Sequence, residues 1–288
     1  MKPCLSLRSE LEESTSAAQL NTQEKHQSHT QALTLISAFM HEPVRIVETS
    51  LKKNAAFLGI QEARRNTVIG RRKITDYFKT FRIEQRQDYL DLIKDDRRSR
   101  ILATYHFGDY VYGMNTLACL EKPGRRRYVL SHSAANEAYF KNLRAGFGDR
   151  AINHSSEIIC SQTNASNLSQ LLRGGNSTLV LFCDLPAGFG ELTEVHFLNR
   201  IAKFPKGPAL LAISNRTPLL PVINYNDGLN NQIEFATQIE PRLNLDETLQ
   251  AGVKRITQEL VNFFERYFLQ YPEQWRYLQN LPLYFLKP

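Results

Sequence analysis

Residues 100–110 read RILATYHFGDY, and this stretch decides the fold class. Its run Ile101–Tyr105 is continuous rather than alternating, which is typical of a strand buried on both faces. Gly108 follows three residues later, and a helical pattern begins near Asp109. A buried strand that passes through a short turn into a helix is the repeating unit of an α/β sheet protein.

The same alternation of apolar runs and helical patterns continues to both sides of this stretch. Further strands are predicted at 128–131, 178–183, 218–225 and 232–239, and helices near 110–120, 134–145, 164–173, 207–215 and 246–271. Strand and helix in turn predict an α/β fold in which helices flank a mostly parallel central sheet.

The chain of 288 residues is predicted to hold one domain behind a polar tail. Residues 1–30 contain too few apolar groups to offset the entropy of ordering, so we expect a mobile tail. Apolar residues at spacings of three and four predict a helical lead-in over residues 31–99. Residues 100–288 then form the α/β core of the single domain 31–288.

The bulk composition limits the partners and the compartment. A net charge of +7 favours anionic partners, such as phosphorylated cofactors, acidic carrier proteins or an anionic membrane surface. No nucleic-acid-binding module is recognisable, so no nucleic acid is expected. Four widely spaced cysteines, no apolar stretch of membrane-spanning length and no signal peptide predict a cytoplasmic protein, with any membrane contact peripheral.

His106 is the strongest candidate for chemistry because it directly follows the predicted buried strand. Ligands of α/β sheets collect at the carboxyl ends of strands, and a histidine there can take a proton near neutral pH. Asp109 either partners this histidine or caps the following helix, and the two roles are compatible. No cluster has metal-ligand spacing, so no metal is expected.

Five blocks of residues stand in order from His106 almost to the end of the chain. They are His106-Phe107-Gly108-Asp109-Tyr110-Val111; Asn136 with Arg144 to Gly148; Phe182-Cys183-Asp184-Leu185; Phe197 to Arg200 with Lys206 to Ala212 and Pro218 to Val222; and Pro272-Glu273-Gln274-Trp275. In content and order, these blocks resemble the bacterial lipid A biosynthesis acyltransferases, which belong to the lysophospholipid acyltransferase superfamily.

The resemblance implies a glycerolipid acyltransferase-like fold with His106 as general base. It also implies substrate-binding roles for a further set of residues: Asn136, Arg144, Asp184 and Lys206. Asp184 either caps a loop or orients a catalytic neighbour. Arg144 and the cluster Arg125–Arg127 are candidates for the phosphate of a phosphopantetheine arm. The oxyanion donor is expected to be Arg144, a backbone N–H group near Gly108 or one at a helix N-terminus.

Three positions depart from the family pattern. Val111 stands where the family has its catalytic glutamate, so Asp109 or another residue supplies the carboxylate, or catalysis has been lost. Leu185 replaces a glutamine, and Asn199 replaces a glycine near the substrate face. The family's N-terminal membrane-spanning helix is not recognisable either. These departures favour a small or soluble acceptor over lipid A.

The expected function is transfer of a fatty-acyl group from an acyl carrier protein or coenzyme A thioester to a hydroxyl or amine. The thioester is a co-substrate, and no other cofactor is expected. No covalent acyl-enzyme is expected, because no cysteine stands in a nucleophile motif. Two alternatives remain open: a non-catalytic homologue that binds the donor or its carrier, and a thioesterase-like hydrolase on the same fold.

Overall fold

The computed structural model describes residues 33–34, 36–70, 79–83, 89–91, 98–121, 124–131, 156–160, 165–186 and 190–285. The predicted tail, residues 1–30, and most of the predicted helix at 134–145 lie outside this part of the chain. No helix of the described residues is both long enough and apolar enough to cross a membrane.

A twisted sheet forms the centre of the described structure. Its strands are β1 (Phe81–Ile83), β2 (Arg100–Thr104), β3 (Arg126–Ser131), β4 (Ser156–Cys160), β5 (Ser177–Phe182), β8 (Leu219–Asn226) and β9 (Asn231–Phe235). Their order is β1-β9-β8-β2-β5-β3-β4. Strands β8, β2, β5, β3 and β4 are parallel, whereas β9 is antiparallel to β8 and β1 is parallel to β9. The predicted, mostly parallel α/β sheet is therefore confirmed.

Helices cover both faces of this sheet. They are α1 (Val44–Gly70), α2 (Tyr110–Ala118), α3 (Ala165–Arg173), α4 (Gly207–Asn215) and α5 (Leu249–Gln270), followed by two 3-10 segments, Pro272–Gln274 and Leu278–Tyr284. Side chains alternate along β2, so Ile101 and Ala103 join the core on the α5 side and Leu102 joins the core on the α2 side. This double burial explains the continuous apolar run in the sequence. Within the predicted helical lead-in, residues 31–99, the structure has α1, but Phe81–Ile83 form strand β1, so the helical prediction is wrong there.

The hairpin of β6 (Leu192–Phe197) and β7 (Arg200–Pro205) forms a separate two-stranded sheet. Its two turn residues, Leu198 and Asn199, both have positive φ, at 52° and 58°. Asparagine tolerates this backbone region better than other non-glycine residues. Asn199 is exposed at this turn and can therefore replace the family's glycine without disturbing the hairpin.

Candidate active site

The site forms where the two central parallel strands end. Thr104, the last residue of β2, lies opposite Phe182, the last residue of β5. Two residues beyond the end of β2 stands His106, and two residues beyond the end of β5 stands Asp184. Because both residues have the same offset from paired strand ends, they meet: Nδ1 of His106 lies 2.9 Å from Oδ1 of Asp184.

Asp184 is fully buried, and three N–H groups hold its carboxylate. Oδ1 faces Nδ1 of His106, while Oδ2 accepts hydrogen bonds from the His106 backbone N–H at 2.7 Å and from the Trp275 indole N–H at 2.9 Å. A buried carboxylate is tolerable only when such donors replace its water shell. Because an ionised carboxylate only accepts, Nδ1 must carry the proton, and Nε2 is then the free base.

Aromatic rings enclose the imidazole of His106, whose side chain is 12% exposed. Phe182 stacks on its face with ring centroids 4.0 Å apart. Tyr110 and Tyr277 approach edge-on, at 4.9 and 5.0 Å. The rings pack around the imidazole and shield most of it from water, so only its small exposed part is open to a substrate.

A short C-terminal segment, Pro272–Arg276, clasps the strand end from the other side. The N–H of Gly108 donates to the carbonyl of Gln274 at 3.1 Å, and the N–H of Arg276 donates to the carbonyl of His106 at 2.9 Å. These two backbone hydrogen bonds pair the loop of His106–Gly108 with the C-terminal segment in the way that two neighbouring strands pair. We call Pro272–Arg276 the C-terminal clasp.

The clasp also holds two other parts of the fold. The side-chain amide of Gln274 accepts from the Asn226 N–H at 2.7 Å and donates to the Asn226 carbonyl at 2.6 Å, at the end of β8. The Asn54 amide of α1, which is fully buried, donates to the carbonyls of Glu273 and Trp275. The clasp therefore joins the ends of β2, β5 and β8 to the first long helix.

Gly108 is required by geometry. Its φ is 55°, and a Cβ at this position would lie 2.3 Å from the carbonyl oxygen of Asn224. A side chain is excluded both by the backbone conformation and by this contact. The glycine lets the chain turn tightly from β2 into α2 against the neighbouring strand β8.

The structure corrects the assignment of the carboxylate partner. The sequence offered Asp109, one turn from His106, either as this partner or as a helix cap, and left another residue open. The carboxylate at Nδ1 is that of Asp184. Asp109 occupies the N-cap position of α2, although its side chain makes no capping hydrogen bond. Val111, which replaces the family's glutamate, packs against the apolar core on the α2 face.

The other predicted site residues have different outcomes. Asp184 was predicted to bind substrate, to cap a loop or to orient a neighbour. It is fully buried and contacts His106, which fits the orienting role. The ammonium of Lys206 pairs with Glu191 at the start of α4, and its predicted contact with substrate stays a prediction. Asn136 and Arg144 lie outside the described residues.

The expected phosphate contact by Arg125 and Arg127 is wrong. Both guanidinium groups are buried at the amino-terminal ends of the strands, the opposite edge of the sheet from His106. Arg127 pairs with Glu121 at 3.2 Å, and Arg125 donates to the hydroxyl of Thr178 at 2.7 Å. Burial lowers the pKa of Arg125 to about 10. These two arginines therefore lie at the base of the sheet, away from His106. Arg126, the third member of the cluster, is exposed, and its contact with a phosphate stays a prediction.

Three aromatic residues that shape the site were not among the predicted site residues. Trp275 donates to Asp184, Tyr277 lies against His106, and the Tyr284 hydroxyl donates to the Asp184 carbonyl at 2.6 Å. Trp275 stood within a recognisable block, but nothing in that block indicated the distant strand end that it contacts. All three come from the last fifteen described residues, which turn back onto the sheet.

Fold and site together define an α/β protein whose histidine, oriented by a buried carboxylate, stands at the carboxyl edge of a mostly parallel sheet. The model of the bacterial lipid A biosynthesis acyltransferase family matches residues 17–282, and the chain belongs to this family. The family is one of acyltransferases, so acyl transfer is the general activity of this chain. No individual curated protein matches the chain.

Proposed function

We propose that this protein transfers a fatty-acyl group from an acyl carrier protein or coenzyme A thioester to a hydroxyl or amine acceptor. His106 is the general base, and Asp184 is the residue that positions it. The single observation that carries the proposal is the contact of Asp184 Oδ1 with His106 Nδ1 at 2.9 Å, which leaves Nε2 available for a proton.

The reaction balances without a covalent enzyme intermediate. His106 Nε2 takes the proton from the acceptor, and the acceptor oxygen or nitrogen forms a bond to the thioester carbonyl carbon. The carbonyl electron pair moves onto oxygen and then returns as the carbon–sulfur bond breaks. The leaving thiolate takes the proton from the imidazolium. Asp184 stabilises the imidazolium between these two steps by remaining ionised.

The two cysteines whose side chains are described are poor nucleophiles. Burial raises the pKa of the Cys183 thiol well above its usual range, and the neighbouring Asp184 raises it further. Burial also raises the pKa of Cys119. The thiolate is the form that attacks a thioester. The raised pKa values leave little thiolate on Cys183 or Cys119, which disfavours an acyl-enzyme on either residue. This supports direct transfer between donor and acceptor.

The donor and the location of the protein complete the proposal. An acidic carrier protein or the phosphates of coenzyme A would be attracted by a chain of net charge +7, and so would an anionic membrane surface. We propose a cytoplasmic protein that reaches membranes only peripherally, with the thioester as its sole co-substrate and no other cofactor.

The test is release of free thiol from a panel of acyl-coenzyme A and acyl-carrier-protein thioesters, with cell extract as the source of acceptor. Wild type is compared with His106→Ala, and His196→Ala serves as a matched control on the separate β6–β7 hairpin. Acceptor-dependent release that is lost only in His106→Ala supports the proposal. Release without acceptor would show a thioesterase, and wild type as inert as His106→Ala would show a non-catalytic homologue.

A further inference from the structure

We propose that the Tyr277 hydroxyl donates the hydrogen bond that stabilises the oxyanion formed on the thioester carbonyl, an assignment that rests on the acyl transfer proposed above. The substrate class is then an acyl donor whose carbonyl lies between Nε2 of His106 and the phenol. No proton leaves Tyr277. The phenol donates a hydrogen bond while negative charge develops on the carbonyl oxygen and releases it when the carbon–sulfur bond breaks.

Three backbone N–H groups beside the base are already occupied. The N–H of His106 donates to Asp184, and the N–H of Gly108 donates to the Gln274 carbonyl. The N–H of Gly108 itself is therefore engaged, and the expected role of its neighbours and of the start of α2 as oxyanion donors stays a prediction. The N–H of Arg276 is engaged with the His106 carbonyl. A side-chain donor beside His106 would stabilise an oxyanion there, because such charge is stabilised by preorganised hydrogen bonds.

Tyr277 lies directly beside the imidazole of His106. Its ring lies edge-on to the imidazole with centroids 5.0 Å apart, and it is only partly buried, so it borders the opening to His106. Its hydroxyl has no hydrogen-bond partner among the described residues, whereas that of Tyr284 donates to the Asp184 carbonyl. The clasp ends immediately before Tyr277, so the same backbone contacts that hold His106 also position this ring.

The electrostatic surroundings keep the phenol protonated. Burial raises the pKa of Tyr277 above its usual range, and the charge of Asp184 raises it further. A tyrosine that stays protonated is a permanent donor, and it cannot compete with His106 for the acceptor's proton. The carboxylate that orients the base thus also maintains the donor.

Tyr277→Phe tests the proposal, because it removes one oxygen and keeps the ring. The matched variant is Tyr110→Phe, which removes the hydroxyl from the other edge-on ring, 4.9 Å from His106. Tyr271→Phe, at the end of α5, is the control for the general effect of removing a hydroxyl. Thiol release is measured as kcat and KM for the thioester, together with thermal unfolding of each variant.

Loss of one oxyanion donor is expected to lower kcat by about 10²-fold and to leave the KM for the thioester and the unfolding temperature nearly unchanged. A purely structural role would instead move the unfolding temperature. If wild type is active and Tyr277→Phe retains its kcat, or if the loss appears in Tyr110→Phe instead, this assignment is overturned and the proposed transfer stands. If wild type is inert, the transfer itself fails, and the role of Tyr277 falls with it.

Discussion

Asp184→Asn separates the two candidate partners of His106, because the site itself dictates how the amide must lie. The Oδ2 position accepts from two N–H groups, those of the His106 backbone and the Trp275 indole. Only the amide oxygen can take this place, so the NH₂ group must face Nδ1 of His106. Nδ1 then has to accept, its proton moves to Nε2, and the base is lost.

The expected loss of kcat follows from the free-energy cost of reversing the orientation of the introduced amide. The reversed orientation would restore the base but would set the NH₂ group against two N–H donors. Each donor left unpaired costs about 1–3 kcal/mol, so the inactive orientation is favoured by about 2–6 kcal/mol. At about 1.4 kcal/mol for each factor of ten, kcat should fall by about 30-fold to 10⁴-fold.

The assay is thiol release by Asp184→Asn and by Asp109→Asn, the same change in the carboxylate that the sequence favoured. Both proteins are first checked for cooperative unfolding in urea. We expect the large loss in Asp184→Asn alone. The assignment of Asp184 as the partner of His106 is refuted if Asp184→Asn keeps the wild-type kcat while Asp109→Asn loses about 100-fold or more. A loss of that size is on the order of removing one catalytic donor.

Gly108→Ala should lower the free energy of unfolding by about 2–5 kcal/mol, because the new side chain adds positive-φ strain and clashes with the β8 backbone. Gly59→Ala is the control in an open helical position and should raise the free energy of unfolding by about 0.5–1 kcal/mol. Urea unfolding measures both, and equal effects at the two sites would contradict the required turn. The pKa of Glu247 is held at about 2, first by hydrogen bonds from Arg255, so the folded state binds fewer protons than the unfolded state between about pH 4.5 and 2. Stability from this pair is therefore present above pH 4.5 and lost as the pH falls through this window, and Glu247→Gln should unfold with a weaker dependence on acid pH. A variant as acid-sensitive as wild type would exclude the pair as a cause.

Local patterns predicted the elements and the base, and long-range pairing determined the rest. The run before His106 identified β2 because burial on both faces leaves a continuous apolar segment. Sequence distance made Asp109 the named candidate for the partner of His106, because the sequence does not show that Asp184 lies beside it. The position of β5 next to β2 in the sheet could not be predicted, because strand order depends on contacts between residues far apart in the chain.

The β6–β7 hairpin was missed for a different reason. A two-residue hairpin turn is normally recognised by asparagine and glycine, whose backbones accept positive φ. Here Leu198 occupies the first of the two positions, with its side chain buried, so the turn signal was absent. Packing against the core, rather than local preference, holds this turn. Strands β1 and β4 are short or flanked by weak patterns, and the sequence did not predict them either.

The C-terminal clasp has a consequence for how the enzyme is made. Ribosomes synthesise proteins at about 5–20 residues per second, and domains begin to fold while the chain is still emerging. The base, its carboxylate and the sheet that holds them are all translated before Trp275 leaves the ribosome. Until then Asp184 lacks its indole donor and the loop of His106 lacks its backbone partner. A nascent chain that holds the sheet but not yet the clasp therefore lacks these contacts of Asp184 and His106.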